Sequence, residues 1–200
     1  MQEFLDIVNE NGEPTGKTVE RKKAHAEGIR HRTSHVWLAR KRNGRVEILM
    51  QKRAENKDSY PGCYDISSAG HIPAGDGFEE SAVRELQEEL GVKADESELI
   101  YCGDRNVQWD DVFSGKPFHD NQFSRIFLLW RDMEENQFTL QREELESVRW
   151  IPFDECVNGV LNNSFKNCIA LYELMILKKG IEKTERMFSD ENGKYRQKDK

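Results

Sequence analysis

The residues of this chain best equipped for chemistry are Glu85, Glu88 and Glu89, set within the stretch Ser68–Val92, SAGHIPAGDGFEESAVRELQEELGV. On a helix of about 3.6 residues per turn, positions i, i+3 and i+4 share one face, so the three carboxylates converge. Converging carboxylates repel one another, and a helix gains nothing structural by gathering them. A hard, oxygen-seeking cation such as Mg2+ removes that repulsion. Val83, Leu86 and Leu90 fall on the other side and predict an apolar face for a core, and Gly91 predicts the helix end. Upstream, HIPAGDG predicts a glycine-rich loop. Asp76 followed by Glu79 has the spacing of a helix capping box.

The elements that must position this stretch can be read in chain order. Phe4–Val8 and the Asn11-Gly12 pair predict a hairpin of two short strands, and Glu20–His25 a short helical turn. His31–Lys41 reads as a strand in which Val36, Trp37, Leu38 and Ala39 are too apolar to face water. Asn43-Gly44 turns it into a second strand, Val46–Lys52. Pro61-Gly62 marks a turn in a polar loop. Asp65–Ala69 predicts the short strand that delivers the chain to Gly70. After the helix, Leu99–Cys102 and Gln122–Trp130 predict strands separated by a long loop, Asp104–Asp120, whose length suggests a functional role. Val148–Ile151 is a further strand, and Phe153–Leu161 and Asn167–Lys178 predict helices. Strands on both sides of a central helix, with helices at the end, predict an α/β sandwich with a mixed sheet. Residues 1–178 read as a single domain with the N-terminal hairpin as an extension. Residues 179–200 read as a charged tail that frays.

Composition narrows the function classes. The chain is 34% charged and 36% hydrophobic, within the range of folded domains. Its longest apolar runs are too short to cross a bilayer, and MQEFLDIVNENGE lacks the basic and apolar regions of a signal peptide. Cys63, Cys102, Cys156 and Cys168 are scattered without a CxxC pair, which predicts free thiols in a reducing cytoplasm. Net charge is −7, yet Lys17–Lys57 holds 13 Lys/Arg against 4 Glu. A basic segment beside an acidic metal site suits a phosphorylated small molecule. Nucleic acid is disfavoured, because no aromatic-basic stripe or binding module is present.

The central stretch resembles the Nudix hydrolase signature, Gly-x5-Glu-x7-Arg-Glu-U-x-Glu-Glu-x-Gly-U, where U is a bulky aliphatic residue. Gly70, Arg84, Glu85, Leu86, Glu88, Glu89, Gly91 and Val92 match in register, and Asp76 stands where the pattern has Glu. The resemblance covers roughly Thr33–Asp154. It implies a mixed sheet between helices, an α/β/α sandwich, and hydrolysis of a diphosphate linkage by attack of water on phosphorus. It also implies that Glu85, Glu88, Glu89 and the Ala69 carbonyl hold Mg2+ or Mn2+. Arg84 would form an ion pair that fixes a neighbouring glutamate. Glu89 and Glu144 are alternative general bases. Lys52 and Arg53, at a strand end, are candidates to neutralise the leaving group. Trp109, Phe113 and Phe118 could stack on a substrate base or serve only in packing.

Within that superfamily the chain is similar to the branch that includes type 1 isopentenyl-diphosphate isomerase. His25, His31, His71 and Asp120-Asn121-Gln122 fall where that branch has metal-binding elements, which raises a second, imidazole-rich metal site. The isomerase itself is disfavoured. Its protonating cysteine is Ala69 here, and its essential glutamate is Gln122; neither an alanine nor an amide can do that work. A hydrolase of a nucleoside diphosphate, or of a compound linked to one, is the reading that remains. Its rival from another class is a non-catalytic nucleotide-sensing module. Such modules usually lose glutamates that this chain keeps.

Overall fold

The computed structural model describes residues 2–57, 59–113 and 115–196. Strands β1 (Phe4–Val8) and β2 (Pro14–Glu20) pair antiparallel as a separate hairpin. Its turn is held by the Asn9 carboxamide oxygen, which accepts from the Asn11 and Glu13 amides at 2.9 and 3.0 Å. Helix α1 (Arg21–Glu27) follows and ends at Gly28, whose φ of 66° only glycine adopts without penalty. Strands β3 (His31–Arg42) and β4 (Arg45–Arg53) are joined by Asn43 and Gly44 at φ 51° and 75°, the two-residue turn that this pair predicts.

The main sheet has seven strands. β5 (Tyr64–Asp65) and β9 (Leu145–Pro152) pair with β4, and β6 (Ser68–His71) pairs antiparallel with β3. β8 (Lys116–Trp130) runs parallel to β3 and antiparallel to β7 (Ile100–Phe113), which makes the sheet mixed. Alternation along β3 sends Val36 and Leu38 to one face and Trp37 and Ala39 to the other. Helix α2 (Phe78–Leu90) covers the first face; α3 (Phe153–Leu161) and α4 (Leu171–Arg196) cover the second. With both faces covered, β3 must be apolar at consecutive positions, as its sequence shows. The architecture is the α/β/α sandwich expected. No helix among the described residues is long and apolar enough to cross a membrane.

Several expectations are corrected. The long loop expected over Asp104–Asp120 is instead most of the β7–β8 hairpin. Asn106, Gln108 and Asp110 alternate outward along this edge strand, and their polarity hides the strand from a search for apolar runs. The capping box falls one residue later than expected. Gly77 is the N-cap and donates its amide to Glu80 at 3.4 Å, so only half of the box forms and the Asp76 side chain is left for another partner. The apolar stripe of α2 is Phe78, Ala82, Leu86 and Leu90, with Val83 only half-buried. Asn167 to Ala170 precede α4 rather than starting it. The helix also runs through the position where a tail was expected, because Leu174, Leu177, Ile181 and Thr184 continue one buried stripe. Gly180 lies so close to Cys102 of β7 that a β-carbon there would collide with its sulfur.

Leu86 is fully buried between α2 and the sheet. We expect Leu86→Ala to cost about 2–5 kcal/mol of stability, read as a lower urea midpoint at unchanged slope.

Candidate active site

Helix α2 presents its carboxylates along a gradient from solvent to interior. Glu88 is exposed, Glu85 half-buried, and Glu89 buried beneath β6. The Ala69 amide donates to Glu89 Oε2 at 3.3 Å. Gly70 faces α2 so closely that a β-carbon would run into the Glu85 carboxylate. A side chain at position 70 would have to push the Glu85 carboxylate out of its place. Burial pushes the Glu89 carboxyl up to about 8, and the nearby charges of Glu85 and Glu144 add to the effect. Glu85 is also raised, by burial first and in part by Glu88, against the pull of Arg84. Arg84 donates to Asp76 at 3.0 Å and to Glu85 at 3.2 Å, bridging the loop and the helix.

The other candidates separate by face. Glu144 lies near enough to Glu89 to perturb it and is paired with Lys57. The chain reaches this position because the amides of Thr139 and Gln141 donate to the Leu90 and Glu89 carbonyls at the end of α2. Lys52 does not join the carboxylates. It shares a face of β4 with Ile48 and Met50, on the α3/α4 side, and pairs with Glu146 at 2.8 Å. Arg53 is occupied by Asp65 at 3.1 Å and by the Ser59 carbonyl at 3.0 Å. Trp109 also lies on the α4 side. It donates to Asp120 at 3.1 Å and sits among Tyr60, Phe113 and Phe118.

On that second face, His25, His31 and His71 form a cluster whose ligand atoms all lie within 4.8 Å of one another. His31 Nδ1 is anchored on the Ile29 carbonyl at 2.9 Å, which leaves its Nε2 buried and unpartnered. Asp120 Oδ1 and His25 Nδ1 are likewise buried without a hydrogen bond, 3.6 Å apart. Burial pulls His25 down to about 3 and lowers His31 and His71, so all three rings are neutral at pH 7 and keep a lone pair. Burial raises Asp120 to about 6. Behind the cluster, Glu173 of α4 accepts from Trp37 at 3.0 Å and contacts His35 and Arg105, each at 3.0 Å. Burial pushes Glu173 up, but these partners outweigh it and hold the carboxyl at about 2. Sequence reasoning missed Glu173, Asp6 and Arg32. Glu173 lies 138 residues from His35 and Asp6 lies 26 from Arg32, so no local spacing announces them.

Within this α/β/α sandwich, a glycine-rich loop over a helix bearing clustered, destabilised carboxylates gathers the oxygen donors that a hard divalent cation takes. Comparison with known proteins carries this further: residues 29–171 match the NUDIX domain model, and the chain belongs to the Nudix hydrolase family. It is 40% identical over 161 residues to Nudix hydrolase 3 of Arabidopsis thaliana, covering 78% of this chain but only 20% of that protein. An uncharacterized Nudix hydrolase of Clostridium acetobutylicum is 37% identical over 154 residues, 77% of this chain and 72% of its own length. Among solved structures, a Deinococcus radiodurans protein superposes with a TM-score of 0.63 at 17% identity, covering 88% of this chain and 98% of that one. The chain is thus a Nudix hydrolase, an enzyme of diphosphate linkages.

A neutral amide at position 89 would avoid burying a charge. We expect Glu89→Gln to raise the melting temperature of the metal-free protein at pH 8–9, with little effect near pH 5, where burial already keeps Glu89 protonated.

Proposed function

We propose that this chain is a Mg2+- or Mn2+-dependent hydrolase that cleaves the diphosphate linkage of a nucleoside diphosphate or of a small molecule linked to one. The observation that carries the reading is the convergence of Glu85, Glu88 and the buried Glu89 on one side of α2 beneath Gly70, where burial first and then the charge of Glu85 push the Glu89 carboxyl up to about 8. Glu85, Glu88, Glu89 and the Ala69 carbonyl are the ligand set; all are hard oxygen donors, which suits Mg2+ or Mn2+. When bound, the cation supplies positive charge at the phosphoryl oxygens. Arg84, tied to both Asp76 and Glu85, holds the first ligand's rotamer. Glu144 stands outside the helix and is set by Lys57, so it is the carboxylate left to take the proton from the attacking water. The water oxygen bonds to phosphorus as the bridging P–O bond breaks, and the pair leaves with the departing phosphate.

The isomerase alternative loses support from the same geometry. Ala69 pairs with His35 and Gln122 pairs with His31, so the two positions where the isomerase has its cysteine and glutamate lie beside the histidine cluster and carry neither a thiol nor a carboxylate. The sensing-module alternative is disfavoured by the intact glutamate set. The cluster itself favours one addition: His25, His31, His71 and Asp120 form a second site, for a transition metal such as Zn2+ or Mn2+. Three neutral imidazoles and a carboxylate, with unpartnered buried atoms on His25, His31 and Asp120, suit such an ion.

The test is nucleoside-monophosphate or phosphate release from a panel of diphosphates with Mg2+. We expect wild-type activity that drops by orders of magnitude in Glu88→Gln, and by about 10–100-fold in Arg84→Gln. No release from any compound, with nucleotide still bound, would overturn the hydrolase reading. For the second site, metal analysis after dialysis against Zn2+ should show one equivalent that His31→Ala loses and Glu88→Gln retains. Relative to Glu89→Gln, in which the histidine contributions are the same, the metal-free wild type should lose stability as pH rises from about 4.5 to about 8. Glu89 takes up protons on folding across that interval, and saturating Mg2+ should abolish the slope.

A further inference from the structure

The β1–β2 hairpin lies outside the residues that match the family, yet it is wired into the signature loop. Leu5, fully buried, forms an antiparallel bridge with Pro73, and the Ala74 amide donates to the Phe4 carbonyl at 2.8 Å. The buried Asp6 carboxylate accepts from Arg32 Nη2 at 2.8 Å and from the Gly75 amide at 3.0 Å. That same Arg32 nitrogen donates to the Asp76 carbonyl at 2.9 Å, and the guanidinium rests over the Phe78 ring at 5.2 Å. Gly75 sits at φ +92°, a conformation the loop holds under this clamp. Asp76 then reaches Arg84, and Arg84 reaches Glu85. The contacts run unbroken from the hairpin to the first carboxylate of the helix.

A buried ion pair contributes little to stability over an apolar pair of the same shape. Beyond each other, Asp6 holds the Gly75 amide and Arg32 holds the Asp76 carbonyl while resting over Phe78. We propose that Asp6 and Arg32 are positioning residues for hydrolysis: the N-terminal hairpin sets residues 73–76 so that Asp76 and Arg84 hold Glu85 in its metal-binding rotamer. This rests on the reading of Glu85 as a ligand of Mg2+.

The experiment uses the full chain and two readouts. The first is the Mg2+ concentration that gives half of the thermal stabilisation, which reports binding without turnover; Mg2+ selects oxygen donors over the histidine cluster. The second is kcat and KM with the best diphosphate substrate. In Asp6→Asn we expect the half-stabilising Mg2+ concentration to rise and kcat to fall, each about tenfold, with KM little changed. Asp76→Asn should do the same, and the double variant should be no worse than the more impaired single one, because both cut one relay. Should Asp6→Asn fail to fold, Asp6→Asn/Arg32→Gln removes both buried charges and carries the same expectation. Folded variants with wild-type Mg2+ dependence and kcat, or strictly additive losses, would overturn the proposal. A wild type inactive on every diphosphate, whose Mg2+ stabilisation still depends on Asp6, would overturn the hydrolase reading alone.

Discussion

Bringing Glu89 under β6, beside Glu85, sets a constraint that the rest of the site answers. A carboxylate taken from water into a protein interior loses hydration that protein dipoles only partly replace. Here the Ser68 side chain and the Ala69 amide offset only part of that loss, and the neighbouring acidic groups add repulsion. The helix that carries this burden is anchored along its other side by Phe78, Ala82, Leu86 and Leu90, whose burial supplies the free energy that the carboxylates oppose. Gly70 is bare because the Glu85 side chain fills the space a β-carbon would need.

The sheet separates two kinds of polar chemistry. Hard oxygen donors gather on the α2 face, and neutral imidazoles gather on the α4 face. Strand β6 serves both, since consecutive residues point to opposite sides: Gly70 meets Glu85, while His71 joins His25 and His31. The α4 face is braced by Glu173, whose contacts with His35, Trp37 and Arg105 draw α4, β3 and β7 together. A network of this kind costs stability when any one member is missing, because the others are left buried and unpaired.

Much of this was legible in the chain. The turn at Asn43-Gly44, the helix α3 and the apolar run of β3 follow from local rules of turn chemistry and burial, and the structure keeps them. The hairpin β7–β8 was not legible, because an edge strand facing solvent carries polar residues that read as a loop. The extra length of α4 was hidden in the same way, by charged residues flanking a buried stripe that only the sheet beneath it reveals. Lys52 was misplaced for a simpler reason. A strand end near the site has two faces, and period two sends Lys52 to the wrong one.

What the sequence by itself determined was the helix with its three carboxylates, the glycine before it and the family those residues mark. Helical spacing is local, and i, i+3 and i+4 converge whatever the surroundings. What only the tertiary structure decided was which of those carboxylates is buried, what holds them, and which other groups share their side of the sheet. Asp6, Arg32 and Glu173 meet partners that are far away in the chain, through contacts that exist only once the layers have closed. Burial and long-range pairing depend on how the chain returns on itself, and no local spacing encodes that.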